Sequence, residues 1–240
     1  MRIFQKGFNF SQDGPGNRLV YHLQGCNLRC PWCSNPEGLL TSGGEQCTIQ
    51  EMLEEVQRSR LMFFEGGGVT LTGGEVTMQF EEVKAFLTQL HGQGIHTCIE
   101  TNGMAKRLPE LFPVLDLLIM DIKHYDTEMH KAVTGLSNEI TIQNISKALV
   151  AGQSLALRIP LIGGFNAGKT DAIRFAGLFH KLNIGPETTV ELLPYHEYGK
   201  DKYAYLGMPY TMSESARISE EQIKVFTNIL KTEGFNVIKT

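Results

Sequence analysis

Three cysteines fall within one eight-residue stretch, Cys26-Asn27-Leu28-Arg29-Cys30-Pro31-Trp32-Cys33. Thiolates this close in sequence can converge on one inorganic centre when the chain between them is a loop, because a helix or strand would splay them. Gly25 and Pro31 favour such a loop. Two chemistries suit the set. Iron–sulfur clusters usually take four cysteines, so three would leave one iron open to a chelating small molecule. A structural zinc site needs four closed ligands, with His22 or Cys47 as the fourth. Its usual spacing is paired Cys-x2-Cys units, so the spacing here favours the cluster. Cys47 and Cys98 read as small apolar side chains. Five cysteines, an odd count, argue against a disulfide framework in a reducing compartment.

Other groups of chemical interest recur at the ends of short apolar runs. Gly73-Gly74-Glu75 closes one run, where glycine permits a close backbone approach to a ligand or simply a tight turn. Glu100-Thr101-Asn102-Gly103 and Asp121-Ile122-Lys123 close two more. Arg158 ends another and His196 follows the last. Each alone reads as capping, solvation or structural histidine; their shared position at run ends aims them at one cleft. Gly163-Gly164-Phe165-Asn166-Ala167-Gly168-Lys169-Thr170 satisfies the phosphate-loop pattern, but Asp121 lies upstream of it, where a magnesium-binding aspartate is not expected.

The elements that must position these groups alternate. Strands are expected over Leu19–Gln24, Val69–Thr72, His96–Glu100, Leu117–Asp121, Leu155–Ile159 and Thr189–Leu193. Helical spacing marks Ile49, Met52, Leu53 and Val56 behind a Thr48/Glu51 capping box. It also marks Phe80, Val83, Leu87 and Leu90, and then Ile223, Phe226 and Leu230 behind Ser219/Gln222. Six alternating strands predict an α/β fold with a parallel sheet, either a partial (β/α)6 barrel open on one side or a doubly wound sheet. Both place the ligand at the C-terminal ends of the strands.

The 240 residues suit a single domain, 1–240. A net charge of -4 with scattered lysines and arginines gives no reason to expect nucleic acid or an acidic membrane. The first residues lack a signal-peptide core, and no stretch approaches the ~20 apolar residues of a membrane span. These features predict a cytoplasmic protein.

The Cys-x3-Cys-x2-Cys spacing, with Trp32 before the last cysteine, resembles the radical S-adenosylmethionine (SAM) superfamily. That resemblance implies the partial barrel and one [4Fe-4S] cluster on Cys26, Cys30 and Cys33 in a loop spanning 25–34. It also implies SAM chelating the open iron, and a 5′-deoxyadenosyl radical formed by reductive cleavage. It assigns Trp32, Gly73, Gly74 and Glu75 to SAM, with Glu75 near its amino group; Val76 replaces the usual proline or alanine. Glu100, Thr101, Asp121 and Lys123 fall to the methionine part, Arg158 to the site wall and His196 to the adenosine side. A monovalent cation can share these carboxylates, although Glu100 stands where aspartate is familiar. The fourteen residues 34–47 leave no room for a ferredoxin-like insert.

Further segments are similar to glycyl radical enzyme activating enzymes of the pyruvate formate-lyase type. They are Asp13-Gly14-Pro15-Gly16, Gly66-Gly67-Gly68-Val69-Thr70, Ile95-His96-Thr97-Cys98, Thr101-Asn102-Gly103 and Leu192-Leu193-Pro194-Tyr195-His196-Glu197-Tyr198-Gly199-Lys200. The implied partner is a large glycyl radical enzyme, with Asp13 near its glycine loop, flavodoxin or ferredoxin as electron donor, and a monomeric activase. A radical SAM enzyme acting on a small molecule or a peptide is the alternative, and a zinc-binding module the remote one.

Overall fold

Alternation along the strands divides one sheet into an apolar face and a polar face. Val69, Leu71, Ile99, Leu118, Met120, Leu157, Ile159, Val190 and Leu192 join the main hydrophobic core. Their neighbours Thr72, Glu100, Asp121 and Arg158 line a cavity on the other side. The computed structural model describes residues 1–238. Among these, nine strands are ordered β3-β1-β2-β4-β5-β6-β7-β8-β9. They are β1 Arg2–Phe10, β2 Asn17–Leu23, β3 Glu45–Gln46, β4 Gly68–Gly73, β5 His96–Thr101, β6 Leu117–Asp121, β7 Leu155–Leu161, β8 Thr189–Pro194 and β9 Asn236–Ile238. The helices are α1 Ile49–Ser59, α2 Phe80–Gly92, α3 Thr127–Thr134, α4 Glu139–Val150, α5 Lys169–Lys181, α6 Lys200–Tyr205 and α7 Glu220–Thr232.

From β2 to β9 every pairing is parallel, and spatial order follows chain order. A doubly wound sheet would reverse direction at a switch point. This sheet does not reverse, which gives the partial barrel, open because β3 and β9 remain unpaired edges. All six expected strands form, and both capping boxes close on α1 and α7. Arg158 lies within β7 rather than at its end, since the strand runs on to Leu161. The sequence reading missed β1, β3 and β9. β1 is largely exposed, and β3 and β9 have only two and three residues, too few to display a period. No helix of the described residues is long and apolar enough to cross a membrane.

The β1–β2 hairpin puts the turn 11–16 at the start of β2, and the cysteine loop follows its end. The two therefore sit at opposite ends of the same strand. Gly16 is obligatory in that turn: its φ is +64°, and a Cβ would come 2.3 Å from the Phe64 carbonyl oxygen. Arg18 is fully buried beneath it. It donates from Nε to Thr70 Oγ1 (2.6 Å), from Nη2 to the Val69 carbonyl (2.7 Å) and from Nη1 to the Pro15 carbonyl (3.1 Å). Thr70 Oγ1 in turn donates to the Asp13 carbonyl at 2.6 Å, which pins the turn to β4.

Candidate active site

At the C-terminal ends of the strands lies a cavity of about 270 Å³. The loop after β2 brings Cys26, Cys30, Trp32 and Cys33 to it; β4 brings Gly73 and Gly74, and β5 brings Glu100 and Thr101. β6 and the turn after it supply Asp121 and Lys123, β7 supplies Arg158, and the segment after β8 supplies His196. Glu75 and Asp13 do not line it. Glu75 is 1% exposed and its carboxylate is satisfied from behind. It accepts from the Thr77 amide and hydroxyl (3.0 and 2.6 Å), the Thr101 hydroxyl (2.7 Å) and the Asn102 amide (2.8 Å). It therefore fixes the turn that presents Thr101 and Asn102.

The cysteine loop is held on three sides. Asn102 Nδ2 donates to Asn27 Oδ1 at 2.7 Å, the Arg29 amide donates to the Thr134 carbonyl at 2.9 Å, and Trp32 meets Phe165 at 5.1 Å between ring centroids. Beneath it the Gly74 amide donates to the Leu23 carbonyl (2.9 Å) and the Glu75 amide to the Gly25 carbonyl (2.7 Å). A Cβ on Gly74 would come 2.2 Å from the Gly25 oxygen, so the glycine is required for the chain to approach itself.

All three thiols are free; Cys26 and Cys30 are buried and Cys33 is half-buried. Burial pushes the Cys26 thiol up to about 11 and Cys30 to about 12, and raises Cys33. Lys123 lies close enough to oppose the shift at Cys30. Its Nζ pairs with Asp121 Oδ2 at 2.6 Å. Because the folded values exceed the 9.0 of an open chain, these thiols stabilise the iron-free protein below pH 9. That contribution is lost as pH rises toward 11 and 12. Metal binding must expel the same protons, so cluster assembly should accelerate between pH 7 and 9 while the iron-free chain loses stability above 9. Thermal unfolding and iron uptake followed against pH test the opposed trends.

Arg158 is the hub of the opposite wall. Its Nε donates to Glu191 Oε2 at 2.5 Å, Nη1 to Glu100 and Nη2 to the Gln12 carbonyl. Glu100 also accepts from the Thr72 hydroxyl at 2.8 Å. Burial raises the Glu100 carboxyl above the usual carboxylate range, against the pull of Arg158. Glu191 went unnoticed in the sequence, although a lone acid within an apolar strand was a usable signal.

The phosphate-loop reading fails. Asn166 fills the loop, donating to the Lys123 and Pro160 carbonyls (both 2.7 Å) and accepting from the Ile162 amide at 2.8 Å. The Gly168 amide is taken by Asp171 at 2.8 Å and the Gly163 amide by the Ala216 carbonyl at 2.8 Å. A closed zinc site would need one of the two expected fourth ligands beside the three thiols. Neither His22 nor Cys47 lines the cavity.

The model of the Radical SAM superfamily matches residues 20–176. The chain belongs to that superfamily. It is 33% identical to the pyruvate formate-lyase 1-activating enzyme of Escherichia coli K12, over 94% of this chain and 93% of that one. Identity is 31% to the choline trimethylamine-lyase activating enzyme of Oleidesulfovibrio alaskensis, over 94% and 93%. A crystallised domain of a pyruvate-formate lyase-activating enzyme from Bacteroides vulgatus superposes with a TM-score of 0.60 and 29% identity. That match covers 73% of this chain and 99% of that domain. A radical SAM methyltransferase from Sphaerobacter thermophilus shares the fold, with a TM-score of 0.67 at 17% identity over 97% and 68%.

Membership implies an iron–sulfur cluster and SAM, and the cavity fits both. Three free thiols share one wall, leaving the fourth cluster position without a cysteine. Around them the cavity carries carboxylates, a lysine, a hydroxyl and an imidazole, suited to a zwitterionic amino acid joined to a nucleoside.

Proposed function

We propose that this protein activates a glycyl radical enzyme by removing one hydrogen atom from a backbone glycine of that partner. The observation that carries the reading is the meeting of Cys26, Cys30 and Cys33 with SAM-compatible side chains around one cavity. The likeness to activating enzymes over nearly the whole chain supports it. When bound, one [4Fe-4S] cluster and SAM supply the 5′-deoxyadenosyl radical that performs the abstraction.

The chain's own residues bind, orient and exclude water. The three thiolates hold the cluster in the loop 25–34. Gly73, Gly74, Thr101, Asp121 and Lys123 receive the methionine part of SAM, with Glu75 fixing the Thr101–Asn102 turn from behind. His196 faces the adenosine, and Trp32 against Phe165 closes the cluster side. A monovalent cation would have to share Glu100 and Asp121 with Arg158 and Lys123, which already neutralise them. The protein acts as one radical SAM domain, 1–240, a cytoplasmic monomer that takes electrons from flavodoxin or ferredoxin.

Asp13 contacts the partner's glycine loop. Its carboxylate accepts from Asn9, and its carbonyl is held by Thr70, so the turn is presented in one conformation. Asp13→Ala should impair partner activation while leaving iron content and partner-free SAM cleavage intact. Equal losses of iron and activity would remove that role. The decisive experiment is anaerobic mixing with a candidate glycyl radical enzyme under electron paramagnetic resonance. A glycyl radical on the partner carries the reading. SAM cleavage productive without any protein partner would point instead to a small-molecule substrate.

A further inference from the structure

Cys33 is the least buried of the three cysteines, and a strap of chain covers it. The strap, residues 195–210, leaves β8 and reaches the site twice. Its first residues, Tyr195 and His196, line the cavity. Farther on, Lys202 Nζ donates to Asn35 Oδ1 and to Glu37 Oε1, both at 2.8 Å. Asn35 and Glu37 belong to the segment that directly follows Cys33. Between these two contacts a Cβ on Gly199 would come 2.4 Å from the Cys33 carbonyl oxygen, so strap and cysteine loop meet backbone to backbone.

The strap is also folded against itself. Tyr203 is 5% exposed and its ring meets Tyr210 at 5.2 Å. The Tyr210 hydroxyl lies 2.6 Å from that of Tyr195. Met208 packs against the small apolar cluster of Cys26, Leu28, Cys30 and Leu39. A solitary surface ion pair contributes little. Lys202 instead bridges two acceptors on the far side of the sequence, and the Glu37 carbonyl is itself held by Gln24 Nε2 at 2.6 Å. The bridge therefore joins the end of β2, the segment after Cys33 and the strap into one unit.

We infer that Lys202 is a positioning residue: through Asn35 and Glu37, with Gly199 in contact, it locks the Cys33 arm of the loop to the strap bearing Tyr195 and His196. The cluster ligand and the adenosine wall are thereby held in a fixed relation. The inference rests on the proposed ligation by Cys33.

The test uses Lys202→Met, Lys202→Arg and Gly199→Ala. In the iron-free chain, the Cys33 and Gly38 amides donate to the carbonyls of Cys30 and Asn35. Lys202→Met should speed hydrogen exchange at both by about tenfold, the effect of losing charge-assisted hydrogen bonds, with α2 unchanged. In the reconstituted protein the same variant should release iron to a chelator faster and shift the cluster potential negative, since a nearby positive charge is gone. Lys202→Arg should restore exchange and potential. Wild-type exchange and potential in both Lys202→Met and Gly199→Ala would overturn the inference. A wild-type chain that takes up no iron would instead overturn the proposed function, while the exchange comparison still decides whether the clamp exists.

Discussion

Replacing Cys30 with alanine should leave a folded protein that takes up no stable cluster and cleaves no SAM. Cys30 is 8% exposed at the cavity, between the other two thiols in sequence. The substitution deletes one heavy atom from a buried position, a packing loss of about 1 kcal/mol. Unfolding therefore cannot account for the expected loss of iron. Two thiolates cannot substitute for three, because among the described residues no further cysteine lines the cavity. Iron content and visible absorbance after anaerobic reconstitution are the direct measurements, with SAM cleavage under strong reductant as the functional one. Cys47→Ala is the matched control. Cys47 lies where the chain meets Met1, and its removal should leave iron uptake at the wild-type level. Full SAM cleavage by Cys30→Ala would refute cluster ligation by this loop.

The largest effect on stability is expected from Arg158→Met. Arg158 is 12% exposed in its side chain, and its two carboxylate partners, Glu100 and Glu191, are 17% and 11% exposed. Removing the guanidinium leaves two buried carboxylates facing one another and the Gln12 carbonyl without its donor. Breaking a buried ion pair in this one-sided way costs about 3–5 kcal/mol. Denaturant unfolding of the iron-free chain measures it without interference from cofactors. Lysine should rescue poorly, since one ammonium cannot reach three acceptors set around a planar fork. The exposed pair Lys84–Glu110 gives the contrast, with 40% exposure on both sides and little expected effect. A loss at Arg158 no larger than the loss at Lys84 would mean the hub is not a structural centre.

The legible part of this protein was its periodic and short-range part. The six parallel strands announced themselves as apolar runs, and the Thr48/Glu51 and Ser219/Gln222 boxes marked two helix starts because a cap is a three-residue interaction. Most of the residues singled out line one cavity because a parallel barrel gathers the ends of its strands. What escaped was set by pairing across the sheet. β1 lies between β2 and the short edge strand β3 with most side chains exposed, so it has no continuous buried face to generate a pattern. Glu75 stood in a recognised motif, yet only the fold shows that its carboxylate is consumed by Thr77, Thr101 and Asn102. The Gly163–Thr170 segment shows the converse: a pattern written for phosphate is filled by Asn166, whose partners lie on β7 and after β6. The contacts of Lys202 span more than 160 positions in the chain, beyond any local signal.

Because the turn carrying Asp13 and the cysteine loop cap opposite ends of β2, the molecule has two separate rims. On the proposed reading, an electron carrier approaching the sulfur-lined rim and a polypeptide gripped at the Asp13 turn would rest on different surfaces. Both could stay docked through a single turnover, and neither would need to leave before the other arrived.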